Sequence, residues 1–227
     1  MIVGDEQREQ LRQRYLQVDT SNAADVLDGL GYHDQALSAE IGVMTRSAAR
    51  LAGWAFTIRG QMMPYPASGG DPEKMRACDS VTPGSVTVWS GPGSGVCCFG
   101  ELIALGMRER GGVGALVDGG VRDLAWLDRH GFPVYARYHT PVQSIGRWKV
   151  DAFGIGVAMP GATCDQVTVD PGDFILADDD GVLVIPGELA GPVLDKAEQL
   201  TAAEHQLRAE LENGMTLADA LARFGHV

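Results

Sequence analysis

The chain has 227 residues, enough to bury a full core without disulfides or a structural metal, and a single domain over residues 1–227 accounts for that length. Thirty acidic against eighteen basic side chains leave a net charge of −12, which opposes binding to a phosphate backbone and argues against nucleic acid as a partner. No stretch is both long and apolar enough to span a bilayer, and MIVGDEQREQLRQRY lacks the basic start and apolar run of a signal peptide. A soluble, cytoplasmic protein with no membrane partner is expected. Cys78, Cys97, Cys98 and Cys164 show neither CxxC nor Cys/His zinc spacing, so they read as reduced thiols packed in apolar surroundings.

In chain order, residues 5–17 read as a polar helix, and the DTSN cluster offers N-caps for a second helix, AADVLDGL, closed by Gly31. LAGWAFTIRG reads as a strand with apolar residues on both faces. QMMPYPASGGDP is a proline- and glycine-rich loop before a short helix around Glu73 to Ser80, and TPG turns into the strand SVTVWS. GPGSG follows as a flexible loop. Apolar residues at Leu102, Ile103, Leu105 and Met107, with Gly111 and Gly112 behind them, predict a helix over Leu102 to Arg110. Ala115 to Val117 predicts a buried strand, and DLAWLDRH a further helix. PGD at 171–173 and DDDG at 178–181 punctuate short β runs, the latter as a hairpin turn rather than a calcium loop. A long helix from about Glu188 to Leu211 and a small one, ADALARFG with Gly225 as its stop, end the chain. The alternation of helices and strands predicts an α/β fold.

The stretch from Gly100 to Asp123 is the most informative. A helix of about 10 residues rises roughly 15 Å and a strand of about 5 residues roughly 16 Å, so the chain returns to the level at which it started. Glu101 is thereby brought to face Arg122 and Asp123. If SVTVWS opens a right-handed crossover, this edge lies outside the carboxyl ends of parallel strands, where open α/β sheets bind ligands. The GPGSGVCCFG loop and the free amides of Leu102 and Ile103, with Gly100, offer an anion cradle.

An acidic residue, twenty intervening residues and then Arg-Asp resembles the signature of the class II pyruvate aldolases typified by 4-hydroxy-4-methyl-2-oxoglutarate aldolase, whose fold is shared by the regulator of ribonuclease activity A. TSNAADVLDGLG, GFPVYAR and VDPGDFILADDDGVLVIP are similar to the same family at matching places. The resemblance implies a layered β/β/α swivelling-domain fold, a divalent metal (Mg²⁺ or Mn²⁺), a small 2-oxo acid substrate, and a homotrimer or dimer of trimers in which the helical segment from about 188 to 227 packs on a neighbouring subunit. The implied activity is cleavage of a 4-hydroxy-2-oxo acid to pyruvate and a second carbonyl compound, with oxaloacetate decarboxylation as a companion. A non-catalytic, protein-binding regulator on the same fold is the rival reading, and the aspartate directly after the arginine favours the enzyme.

Carried onto this chain, the resemblance makes Asp123 the direct metal ligand, although an aspartate before a helix reads equally as its N-cap, worth about 1 kcal/mol. It makes Arg122 the group that binds the 2-oxo acid and stabilises the oxyanion, where a surface ion pair is the ordinary alternative. Glu101 would hold water on the metal and relay protons, though a carboxylate in the first turn of a helix is favoured by the macrodipole in any case. Glu204 would reach a neighbouring subunit's metal through water, with Glu198 as the fallback. His139 remains a substrate-contact candidate, and Arg147 a weaker anion-binding one. QMMPYPASGGDPEKM and RYHTPVQSIGRWK are expected to shape the pocket.

Overall fold

In the computed structural model, which describes residues 4–64 and 69–224, the strands alternate their side chains between two apolar layers. The strands are β1 (Gly42–Val43), β2 (Leu51–Met62), β3 (Ser85–Ser90), β4 (Cys97–Phe99), β5 (Gly112–Val121), β6 (Val134–His139), β7 (Trp148–Phe153), β8 (Val157–Pro160), β9 (Gln166–Val169), β10 (Phe174–Asp178) and β11 (Gly181–Ile185). The helices are α1 (Asp5–Tyr15), α2 (Thr20–Gly29), α3 (Pro72–Asp79), α4 (Glu101–Arg108), α5 (Leu124–Arg129), α6 (Ala190–Glu212) and α7 (Leu217–Phe224). Gly225, expected to stop the last helix, and residues 65–68 of the proline-rich loop lie outside the described residues.

The main sheet runs β1-β6-β5-β3-β2-β10-β11. Strands β2, β3, β5 and β6 are parallel, as the crossover reading of SVTVWS requires, and β1, β7, β10 and β11 add antiparallel pairings. Two neighbours share one side of β5: β3 pairs with it as far as Val117, then β4 pairs with Gly120 and Val121. The β8–β9 ribbon is separate and antiparallel.

Side-chain alternation sets the layers. Val86, Val88, Leu116, Tyr135, Ile175 and Val184 face the ribbon, where Val157, Met159, Val167 and Val169 complete a core. Trp89, Ala115, Val117, Val134 and Ala136 point the other way, against α3, α4 and α5 through Ala77, Ala104, Met107 and Leu127. Phe174, Leu176, Leu183 and Ile185 meet α1, α2 and α6. Ribbon, sheet and helices thus stack in the expected β/β/α order.

Boundaries moved by small amounts. The strand expected over 51–60 extends to Met62, where β7 supplies a partner edge. The helix expected from Leu102 begins at Glu101 and ends at Arg108. The long helix expected from Glu188 starts at Ala190, after a tight turn at Gly187–Leu189. Among the described residues no helix is long and apolar enough to cross a membrane.

Candidate active site

Strand β5 delivers Arg122 and Asp123 just beyond its end, and β4 delivers Gly100 and Glu101 beside them. The Arg122 N–H donates to the Phe99 carbonyl at 3.1 Å, locking the two strand ends together. Asp123 then turns the chain into α5 with φ 62° and ψ 31°, the one left-handed non-glycine conformation among the described residues. Aspartate visits that region more readily than most residues, but at a cost of about 1 kcal/mol.

The N-cap alternative for Asp123 is corrected by its side chain, which makes no capping hydrogen bond to α5. Its Oδ2 accepts from the Glu101 N–H at 3.1 Å and lies 3.4 Å from Arg122 Nε. The carboxylate therefore caps the other helix, α4, and bridges the two halves of the Gly100–Asp123 segment. Arg122 and Asp123 keep 44% and 36% side-chain exposure, so both are open to a ligand. Gly100 is the N-cap of α4, and the N–H groups of Leu102 and Ile103 lie in the first turn, where no intrahelical acceptor exists. The sequence therefore brings Gly100, Glu101, Leu102, Ile103, Arg122 and Asp123 together, as the spacing predicts.

Gly100, Leu102, Ile103, Arg122 and Asp123 open on a cavity of about 320 Å³, and Glu101 stands beside it, outside the lining. Its walls come from Gly69–Asp71, Lys74 and Met75 at the start of α3, from Cys97–Gly100 and the head of α4, and from Gln143–Gly146 with Trp148 and Lys149. The two segments expected to shape the pocket are therefore both in its lining. Met75, Leu102 and Ile145 present exposed apolar surface within that lining. Cys97 and Cys98 lie in its wall as free thiols, and burial pushes the Cys98 thiol up to about 12, which leaves it protonated and unreactive at neutral pH. Cys78 is likewise a free, buried thiol.

Among the described residues no group of three or more His, Cys, Asp or Glu side chains converges as a metal cage. The donor set is instead one solvent-open carboxylate, Asp123, whose Oδ1 makes no hydrogen bond among the described residues, with half-buried Glu101 next along the edge. That set suits a hard ion that keeps most of its water, such as Mg²⁺ or Mn²⁺, and does not suit a structural zinc.

A family model described as RraA-like, Aldolase/RraA, matches residues 20–184, which spans the whole of this site. The chain belongs to the Aldolase/RraA family. It is similar to a protein of Halalkalibacterium halodurans named "Putative 4-hydroxy-4-methyl-2-oxoglutarate aldolase", with 32% identity over 162 residues, 70% of this chain and 74% of that one. Among solved structures it is similar to Streptomyces coelicolor RraAS2, described as an unusual member of the RNase ES inhibitor RraA protein family, with TM-score 0.74, 26% identity, and coverage of 88% of this chain and 98% of the other. A structure described under novel cellulases from microbes associated with the gut ecosystem gives TM-score 0.79 and 28% identity, covering 91% of this chain and 89% of that one.

Of the remaining residues expected to act at the site, His139 stands beside Arg122 and Asp123, and the others lie elsewhere in the chain. His139 sits in a second depression, bounded by Thr140 and Pro141, that shares Arg122 and Asp123 with the main cavity. Arg147 donates to the Gln143 carbonyl and is not in the cavity lining. Glu204 lies on α6, where its Oε2 accepts from Asn22 Nδ2 at 3.2 Å, and Glu198 is bound by Arg14 at 2.6 Å. Neither glutamate is in the lining of the cavity. Sequence reasoning missed Lys74 in the cavity wall. Its signal was present: Lys74, Ala77 and Cys78 follow i, i+3, i+4 spacing, which places the lysine on the buried face of α3.

Proposed function

We propose that the protein is a divalent-metal-dependent lyase that cleaves a 4-hydroxy-2-oxo acid of the 4-hydroxy-4-methyl-2-oxoglutarate type to pyruvate and a second carbonyl compound. The observation that carries this reading is the Arg122–Asp123 pair, held 3.4 Å apart at a cavity mouth beside the free amides of α4. Asp123 would hold Mg²⁺ or Mn²⁺, with Glu101 acting through water; when bound, the ion supplies Lewis-acid polarisation of the 2-oxo group. The Leu102 and Ile103 amides and the positive end of α4 receive the substrate carboxylate. The Arg122 guanidinium faces the keto oxygen and offsets the negative charge that collects there as the C3–C4 bond breaks. The bonding electrons pass toward the keto oxygen, the 4-hydroxyl loses its proton, and C4 leaves as a carbonyl. Glu101 moves protons through water, removing that of the hydroxyl and returning one to C3 of the three-carbon enolate.

Decarboxylation of oxaloacetate passes through the same enolate and belongs to the same proposal. Glu204, presented from a neighbouring subunit in a trimer or a dimer of trimers, completes it; in that assembly the contact of Glu204 with Asn22 would give way. Pyruvate release from both substrates is expected to stop on removal of divalent metal and to return with added Mg²⁺ or Mn²⁺. Turnover that is indifferent to chelation would sink the metal-dependent reading. The Streptomyces neighbour's description supports a second reading, a protein-binding regulator of a ribonuclease. It would be favoured by a purified protein that releases no pyruvate with metal present and inhibits a ribonuclease on binding it.

A further inference from the structure

Lys74 is 8% exposed, yet it belongs to the wall of the cavity that Arg122 and Asp123 open on. Among the described residues its Nζ has one hydrogen-bond acceptor, the Cys98 carbonyl, and forms no ion pair with a carboxylate. Two indole faces lie near it, Trp89 at 5.3 Å and Trp148 at 5.8 Å, and the Cys98, Cys78 and Cys97 thiols and Asp71 also act on it electrostatically. Asp71, three residues earlier, does not neutralise it by direct contact. Its Oδ1 accepts from the Lys74 backbone N–H at 3.1 Å and its Oδ2 from the Val150 N–H at 2.9 Å.

A buried cation without a carboxylate partner is costly, and the cost is relieved either by loss of the proton or by a counter-ion. Lysine carries three N–H donors, so a single carbonyl leaves two for a ligand. Lys149 adds a further cation to the same lining, in a chain whose overall balance is strongly acidic. Burial lowers the proton affinity of Lys74 below that of an ordinary lysine, and an arriving anion would restore it.

We propose that Lys74 is a specificity-determining residue of this site, receiving a second carboxylate at the far end of the ligand, so that the cavity selects doubly charged 2-oxo acids over singly charged ones of equal length. The inference rests on the 2-oxo acid reading above. Arg122 and the α4 amides take the 2-oxo acid end, and Lys74, with its indole cage, takes the other. An apolar wall between two cationic ends then disfavours a substrate that leaves the inner cation unpaired.

The test is calorimetric titration of the Mg²⁺-loaded protein with 2-oxoglutarate and with 2-oxopentanoate, acids of one length that differ in a terminal carboxylate against a methyl group. Wild type is expected to bind the dicarboxylate at least about ten-fold more tightly, the scale of one charge-assisted hydrogen bond in a dry site. Lys74→Met should bring that ratio close to one, and Lys74→Arg should restore part of it. Equal binding of the two acids by wild type, or a preference that survives Lys74→Met, would overturn the assignment while leaving the lyase reading intact. Binding of neither acid would remove the 2-oxo acid reading and this one with it. Should Lys74→Met fail to fold, Lys74→Gln keeps a donor for the Cys98 carbonyl without the charge, and its ratio decides in the same way.

Discussion

Asp123→Asn is expected to lower pyruvate release by at least about 100-fold while shifting the melting temperature by no more than about 3 °C. Asparagine tolerates the left-handed backbone at this position nearly as well as aspartate, and its amide oxygen can still accept from the Glu101 N–H. The main-chain contacts that start α5, from the Trp126 and Leu127 N–H groups to the Asp123 carbonyl, need no side chain. What the substitution removes is the negative charge, and with it both the attraction for a divalent ion and the pairing with Arg122. Asp123→Ala is the less informative variant, since alanine at φ 62° adds a backbone cost of about 1–2 kcal/mol to the loss of charge. The measurement is steady-state pyruvate release from oxaloacetate and from 4-hydroxy-4-methyl-2-oxoglutarate, with thermal unfolding alongside. Wild-type turnover in Asp123→Asn would remove this residue as the metal ligand.

Gly100→Ala is expected to separate geometry from chemistry. The glycine is extended, with φ −171°, so alanine meets no backbone penalty there. A Cβ at this position would stand 2.7 Å from Asp123 Oδ2 and 3.1 Å from Arg122 Cγ. Both are side-chain atoms at a solvent-open edge, so they can move aside, and the stability cost should stay within about 1 kcal/mol. The movement displaces both charged groups from each other and from the α4 amides. Misplacement on the order of 1 Å costs about 100-fold in a positioned reaction, so kcat/KM should fall by about that factor while the protein remains folded. Full activity in Gly100→Ala would mean that the reacting groups are not where this edge places them.

The Gly100–Asp123 segment was legible because each of its parts is local. The apolar spacing of Leu105 and Met107 marks α4, the run Ala115–Val117 marks β5, and helix rise against strand rise returns the chain to its starting level. Asp123 was only half legible. Its place before a helix suggested a cap on α5, whereas its carboxylate caps α4, a choice fixed by the left-handed turn and by the approach of β4. Lys74 was not read, although its spacing with Ala77 and Cys78 marks the buried face of α3, because on a short, mostly polar helix that stripe is weak until β7 covers it with Trp148. The pairing of β2 with β7 and β10 along one edge is likewise a long-range result that no local pattern encodes.

The handover along β5 from β3 to the three-residue β4 makes the edge that carries Arg122 and Asp123 a splice rather than a continuation of the sheet. A splice this short can open by itself, with β3 still paired below it, so deuterium should enter the amides of β4 and the head of α4 well before those of β3. A ligand that grips Asp123 on one side and the α4 amides on the other would act as a rivet across that seam. Slower deuterium uptake there on binding would report occupancy of the site without any turnover.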